Sequence, residues 1–171
     1  MPLLPPVTPA LIGPFFQTLT GIATGESLTG SANADLIYGL GGNDTLFGGD
    51  GADHIFGGLD NDQISGGRGN DTLLGDEGHD RLFGGRGLDL IFGGSGNDLL
   101  QSGDDESTLV GGQGNDTLAA RQLDGGLQWL FGGDGADRFD LQFVSAEPYS
   151  ETVIGDFQIG VDSFTVDGVA G

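Results

Sequence analysis

A carboxylate recurs at multiples of nine residues through the middle of this chain: Asp35, Asp44, Asp53, Asp62, Asp71, Asp80, Asp89, Asp98 and Asp116, with Asp137 following a slip of three residues. Glycines stand two or four residues ahead of these acids: Gly42, Gly49, Gly51, Gly58, Gly67, Gly69, Gly78, Gly85, Gly87, Gly94, Gly96, Gly112 and Gly114, with Asp60 in one of the same places. Glycines so placed permit a tight turn beside each acid, and stacked carboxylates need a counter-ion. Such a surface suits a hard cation. Ca²⁺ accepts roughly six to eight oxygen ligands, carboxylates and backbone carbonyls, in flexible geometry, whereas Mg²⁺ dehydrates reluctantly and prefers a smaller octahedral site. Calcium is the better match.

The elements that must hold these groups follow from the frame. From Gly39 the chain reads GLGGNDTLF, GGDGADHIF, GGLDNDQIS, GGRGNDTLL, GDEGHDRLF, GGRGLDLIF, GGSGNDLLQ. It extends back through GSANADLIY (30–38) and GIATGESLT (21–29), and forward through SGDDESTLV (102–110) and GGQGNDTLA (111–119). Ala120 to Gln122 break the frame, after which LDGGLQWLF (123–131) and GGDGADRFD (132–140) complete the array. Position 8 is apolar throughout: Leu28, Ile37, Leu46, Ile55, Ile64, Leu73, Leu82, Ile91, Leu100, Leu109, Leu118, Leu130 and Phe139. That predicts a three-residue strand with one inward side chain. Glycines at positions 1, 2 and 4 predict positive φ and tight turns. Proline is absent from residues 21–140, as strands require.

One buried aliphatic side chain contributes about 1.5–3 kcal/mol. Ordering a backbone costs about 1–2 kcal/mol for every residue, and stacked carboxylates add repulsion. The repeats are therefore expected to stay unfolded without a counter-ion.

The pattern resembles the RTX (repeats-in-toxin, or hemolysin-type) calcium-binding nonapeptide, G-G-x-G-x-D-x-U-x, over about 120 of the 171 residues. The resemblance implies an all-β fold, a parallel β-roll with two nonapeptides per coil. Ions would lie between turns stacked on one edge, held by position-6 carboxylates and turn carbonyls. Sorting by parity then gives two edges. One carries Glu26, Asp44, Asp62, Asp80, Asp98 and Asp116; the other carries Asp35, Asp53, Asp71 and Asp89, followed by Ser107 and Gln128. Intact Asp pairs give four sites on the first edge and three on the second, about seven ions in all. The unit 102–110 is expected to hold a weak site or none. Asn33 and Asp60 at position 4 are expected to accept a left-handed backbone.

Charge and composition exclude other classes. The formal net charge is −21, with 26 acids against 5 arginines, so nucleic acid and anionic membranes would repel the chain. It has 0 Cys, which excludes thiolate sites and disulfides. No apolar run approaches the length of a transmembrane helix. Residues 1–20 are apolar and Pro-rich without a basic region, a poor cleaved signal. The family resemblance implies secretion by a type I route through an uncleaved C-terminal signal, in a bacterial extracellular setting. The alternative is a C-terminal module of a larger secreted protease, lipase or adhesin, against which the initial Met1 counts.

No enzyme is expected. His54 and His79 stand on different units without an HExxH or triad companion, and they read as solvated variables. Residues 141–171 read as capping strands (Val153, Ile154, Phe157, Phe164, Val166), in which VIGDFQIGVD resembles the segment closing many RTX arrays. Asp156 and Asp162 there read as a polar strand boundary, and Trp129 as packed at the break. Tyr38, Phe56, Leu74, Phe92 and Val110 form an outward column at position 9 on one sheet only. It is expected to be covered by the N-terminal segment (Leu3, Leu4, Leu11, Ile12, Phe15, Phe16) or to serve in self-association or docking.

Overall fold

The computed structural model describes residues 17–122, 127–143, 151–158 and 160–167. Its strands alternate between two parallel sheets. The first sheet contains β1 (Gln17–Thr20), β3 (Asp35–Gly41), β5 (His54–Leu59), β7 (Thr72–Glu77), β9 (Asp89–Ser95), β11 (Ser107–Gln113), β13 (Leu127–Asp134) and β15 (Glu151–Ile154). The second contains β2 (Ser27–Thr29), β4 (Thr45–Asp50), β6 (Gln63–Arg68), β8 (Arg81–Arg86), β10 (Leu99–Gly103), β12 (Thr117–Gln122), β14 (Arg138–Phe143) and β16 (Ser163–Asp167). Ile37 pairs with Ile55 and Ile55 with Leu73 on the first sheet, while Leu46 pairs with Ile64 and Ile64 with Leu82 on the second. Partners are 18 residues apart, so two nonapeptides make one coil. The fold is the β-roll that the repeat implies.

The strands are longer than three residues. Most run through positions 7, 8 and 9 and on through 1, 2 and 3 of the next unit, with two inward positions rather than one. Position 8 supplies the core: every such residue from Ile37 to Phe139 is fully buried. Position 1, usually glycine, is the other inward position.

Glycine at position 1 serves a different purpose from the one expected. Positive φ occurs at positions 2 and 4, as at Gly67 (114°) and Gly69 (125°), and at no position-1 glycine. There the need is space. Position 2 is left-handed at two residues that are not glycine, Leu40 (φ 81°) and Asp76 (φ 72°), but not at Ile22 or Ser31; the state is strained for leucine and milder for aspartate. At position 4, Asp60 follows the expectation (φ 73°), whereas Asn33 does not take positive φ.

The three added residues after Ala119 are absorbed within one coil. Leu109 pairs with Leu130 and Leu118 with Phe139, 21 residues on, and the strands on both sides keep their alignment. The roll is also longer than the repeat frame at both ends. At the start, β1 pairs with β3 through Leu19 and Ile37, so the first coil begins before Gly21. At the other end, β15 joins β13 and β16 joins β14, both in parallel. The capping strands are thus a further turn of the roll, closed by Phe157, whose ring lies 6.0 Å from Phe139 and 5.8 Å from Phe164. Trp129 does not pack inside the break; it stands on the outer face of the first sheet, 41% exposed, beside Leu88, Leu90 and Leu127 around a cavity of about 270 Å³.

Candidate metal centre

The position-6 acids occupy the turns at the two edges of the roll. Turns leading from the first sheet to the second carry Asp44, Asp62, Asp80, Asp98, Asp116 and Asp137. Turns leading back carry Asp35, Asp53, Asp71 and Asp89. All ten carboxylates are buried, at most 3% exposed.

Each carboxylate except that of Asp35 does two things. Its Oδ1 accepts the backbone N–H of the position-6 residue one coil earlier: Asp44 N–H donates to Asp62, Asp62 to Asp80, Asp80 to Asp98 and Asp53 to Asp71, each at 2.8 Å. These bonds hold the acids in two straight columns. The first column runs on through Asp116 to Asp137 (2.9 Å) and from Asp137 to Asp162 (3.0 Å). Asp162 therefore continues the column as its last member, and Asp156 accepts the Gly132 and Gly133 amides at 2.9 Å each.

The second oxygen is left over. Oδ2 of Asp44, Asp53, Asp62, Asp71, Asp80, Asp89, Asp98, Asp116 and Asp137 is buried and has no hydrogen-bond partner, as is Oε2 of Glu26 at the head of the column. At Asp35 the corresponding oxygen takes the Ser31 amide instead. A buried carboxylate oxygen without a partner is costly unless a proton or a cation meets it. Burial pushes the Asp62 and Asp71 carboxyls up to about 6, and those of Asp80, Asp89 and Asp116 up to about 7. Neighbouring acids raise them further and the amide bond at Oδ1 partly opposes the shift.

The surroundings of Oδ2 are lined with oxygen. A Cβ added at Gly39 would lie 2.5 Å from both Asp44 Oδ2 and the Gly57 carbonyl oxygen, and one at Gly66 would lie 2.4 Å from Asp71 Oδ2 and 2.7 Å from the Gly84 oxygen. Carbonyls of positions 2 and 4 stack in the same way: a Cβ at Gly67 would meet the Gly49 oxygen at 2.1 Å, and one at Gly78 the Asp60 oxygen at 1.9 Å. No three His, Asp or Glu side chains converge on one point among the described residues. A cation at Oδ2 would need backbone carbonyls to complete its shell, which is how calcium differs from metals that favour side-chain nitrogen or sulfur. The residues present fit calcium.

Asp60 is placed differently from the position-6 acids. Its carboxylate is exposed and accepts the Gly42 amide (3.1 Å), so what it can offer a cation is its carbonyl. Asp105, at the same position, accepts Gly87 N–H at 2.9 Å.

The irregular unit carries two linked changes. Position 6 is Ser107 and position 1 is Ser102, whose side chain is fully buried where all but one of the other units have glycine. A side chain at position 1 and an aspartate at position 6 would compete for the same hollow, as the glycine distances show. The next unit repeats the linkage in sequence, with Leu123 at position 1 and Gln128 at position 6. Leu123 lies outside the described residues, while Gln128 is buried and donates to the Asp105 carbonyl. The second column thus ends at Asp89, whose amide reaches only the Ser107 hydroxyl (3.3 Å).

A second ladder escaped the sequence reading. At position 5 on the first edge, Asn43, Asn61, His79, Asn97 and Asn115 each accept the amide of the residue one coil on, at 2.6–2.9 Å. His79 accepts through Nδ1, so it is a rung rather than a free surface variable. The signal was an acceptor side chain at every 18th residue, Asn43 to Asn115.

One prediction tests the hollow directly. Gly66→Ala should lower melting temperature and calcium affinity together, by about 1–3 kcal/mol from overpacking, whereas Gly41→Ala, whose Cβ would meet nothing closer than 3.7 Å, should change neither. Thermal melts and calcium titrations of the two variants make the comparison.

Among known proteins, residues 20–55, 29–64, 56–91, 65–100 and 92–122 match the family described as RTX calcium-binding nonapeptide repeat (4 copies). No curated protein matches the chain. The matched stretch, 20 to 122, is more than half of the 171 residues, and within it two of the family's nine-residue repeats make one coil. The chain belongs to the RTX calcium-binding nonapeptide repeat family, and calcium is the ion its repeats bind.

Proposed function

We propose that this chain is a calcium-dependent folding module of an exported protein, open at low calcium and wound into the roll at the millimolar calcium found outside cells. The observation that carries this reading is the line of buried Oδ2 atoms without partners. They make the fold expensive until a cation arrives. Type I export suits a chain that must pass a channel unfolded, and the cysteine-free, acidic repeats are consistent with it. The reading is non-enzymatic: His54 is an exposed strand residue and His79 a ladder rung.

About seven ions are proposed, four between Asp44 and Asp116 and three between Asp35 and Asp89. The step from Asp116 to Asp137 has the same hydrogen bond and the same glycine hollow, at Gly111, and is the natural eighth. Native mass spectrometry in a volatile calcium buffer counts them. Seven or eight ions are expected, and a plateau at three or fewer would overturn the proposal.

The gap in the second column gives a sharper test. Ser107→Asp alone should destabilise the roll, because Ser102 fills the hollow its carboxylate needs. Ser107→Asp combined with Ser102→Gly should recover stability in calcium and bind one more ion. Equal behaviour of the single and double variants would remove the linkage.

A further inference from the structure

The outer face of the first sheet carries a continuous apolar column: Tyr38, Phe56, Leu74, Phe92, Val110 and Phe131, each paired in register with the next. All are half-buried, and the Tyr38 and Phe56 rings stack at 4.9 Å and 16°. The matching positions of the second sheet read Thr29, Phe47, Ser65, Phe83, Gln101, Ala119 and Asp140, broken by polar residues. One sheet alone presents an aromatic track.

We propose that this track seats residues 1–16 of the same chain, which lie outside the described residues. Three observations select that occupant. The segment MPLLPPVTPALIGPFF contains no charged side chain, and it enters the roll at β1, where Thr20 pairs beside Tyr38, the first residue of the track. Its proline content suits a face and not an edge: proline cannot donate to a ladder, whereas proline-rich segments dock in aromatic-lined grooves. Its length also suffices. Sixteen residues at about 3.1 Å each reach about 50 Å, and six strands at about 4.8 Å spacing span about 24 Å. A second copy is the weaker occupant, because even with about seven calcium ions offsetting roughly 14 of the 21 negative charges both chains stay acidic and repel one another.

The chain has 0 Cys, so Ala10→Cys in the full chain offers a single site for a nitroxide spin label. In saturating calcium, the amide signals of Phe56, Leu74 and Phe92 should lose most of their intensity, while those of Phe47, Ser65 and Phe83 on the other sheet, about 10 Å further away, should lose clearly less. A mixture of isotope-labelled protein without the nitroxide and unenriched protein carrying it should show no loss. Adding Phe56→Ser and Phe92→Ser to the labelled chain should restore the Leu74 signal while the second-sheet spectrum stays unchanged. Equal loss on both sheets, or no loss, would overturn the proposal. Equal loss in the mixed sample would assign the track to a second copy instead. Should the double serine variant fail to fold, the comparison of the two sheets in Ala10→Cys decides alone.

Discussion

Removing calcium at neutral pH should abolish the β-sheet circular dichroism of this protein and return the chain to a disordered spectrum, with full recovery when calcium is restored. Loss of the whole fold is expected because nine unpartnered Asp Oδ2 atoms are buried at the two edges of the roll among the described residues, and each would face its neighbours as a bare buried anion. A proton can do part of what calcium does. Folded-state carboxyls raised from 3.8 to about 6 at Asp71 and about 7 at Asp89 favour the roll only while protonated. Their stabilising contribution is complete below pH 3.8 and disappears as pH rises through about 6 to 7. Protein freed of calcium by chelation and desalting should therefore show more β-structure at pH 4 than at pH 7.5. Calcium binding near pH 7 should release protons, measurable by calorimetry in buffers of different ionisation enthalpy. A β spectrum unchanged by excess chelator at pH 7.5 would refute the dependence.

Asp71→Ala should cost ions on one edge and spare the other. Asp71 lies between Asp53 and Asp89: its Oδ1 accepts the Asp53 amide and its own amide donates to Asp89. The variant leaves two neighbouring steps without a shared carboxylate and one buried N–H without an acceptor, a loss of about 1–3 kcal/mol for the amide alone. Asp80→Ala should do the same on the opposite edge, where Asp80 joins Asp62 and Asp98. Native mass spectra should show about two ions lost in each case. The double variant should lose the sum, because the two columns share no carboxylate. A collapse of both columns in Asp71→Ala, with the roll still folded, would show that the edges are not independent.

Much of this was legible before any coordinates. The invariant apolar eighth position put the core where it is, and the parity of the acids sorted them correctly between two edges, because a strict period leaves each coil no other alignment. What escaped shows where a period is silent. Glycine at position 1 looks the same in sequence as glycine at positions 2 and 4, yet one is required for space and the others for backbone sign. Gly66 and Gly67 are adjacent and need to be glycine for different reasons. The ladder through Asn61 and His79 was hidden because a mixed column of Asn and His shares an acceptor and not a residue type. Both ends were read as separate pieces because β1 and β15 carry no GGxGxD, although both add strands to the first sheet.

The 18-residue alignment of the coils also bears on how such a gene can change length. Loss of a single nonapeptide would send every downstream aspartate to the opposite edge and every downstream strand to the opposite sheet. Loss of two would leave all remaining columns aligned. The insertion at residues 120–122 changes neither, since Asp116 still meets Asp137. Length can therefore change in pairs of repeats with every column kept in line, whereas an odd step exchanges the sheets of everything downstream.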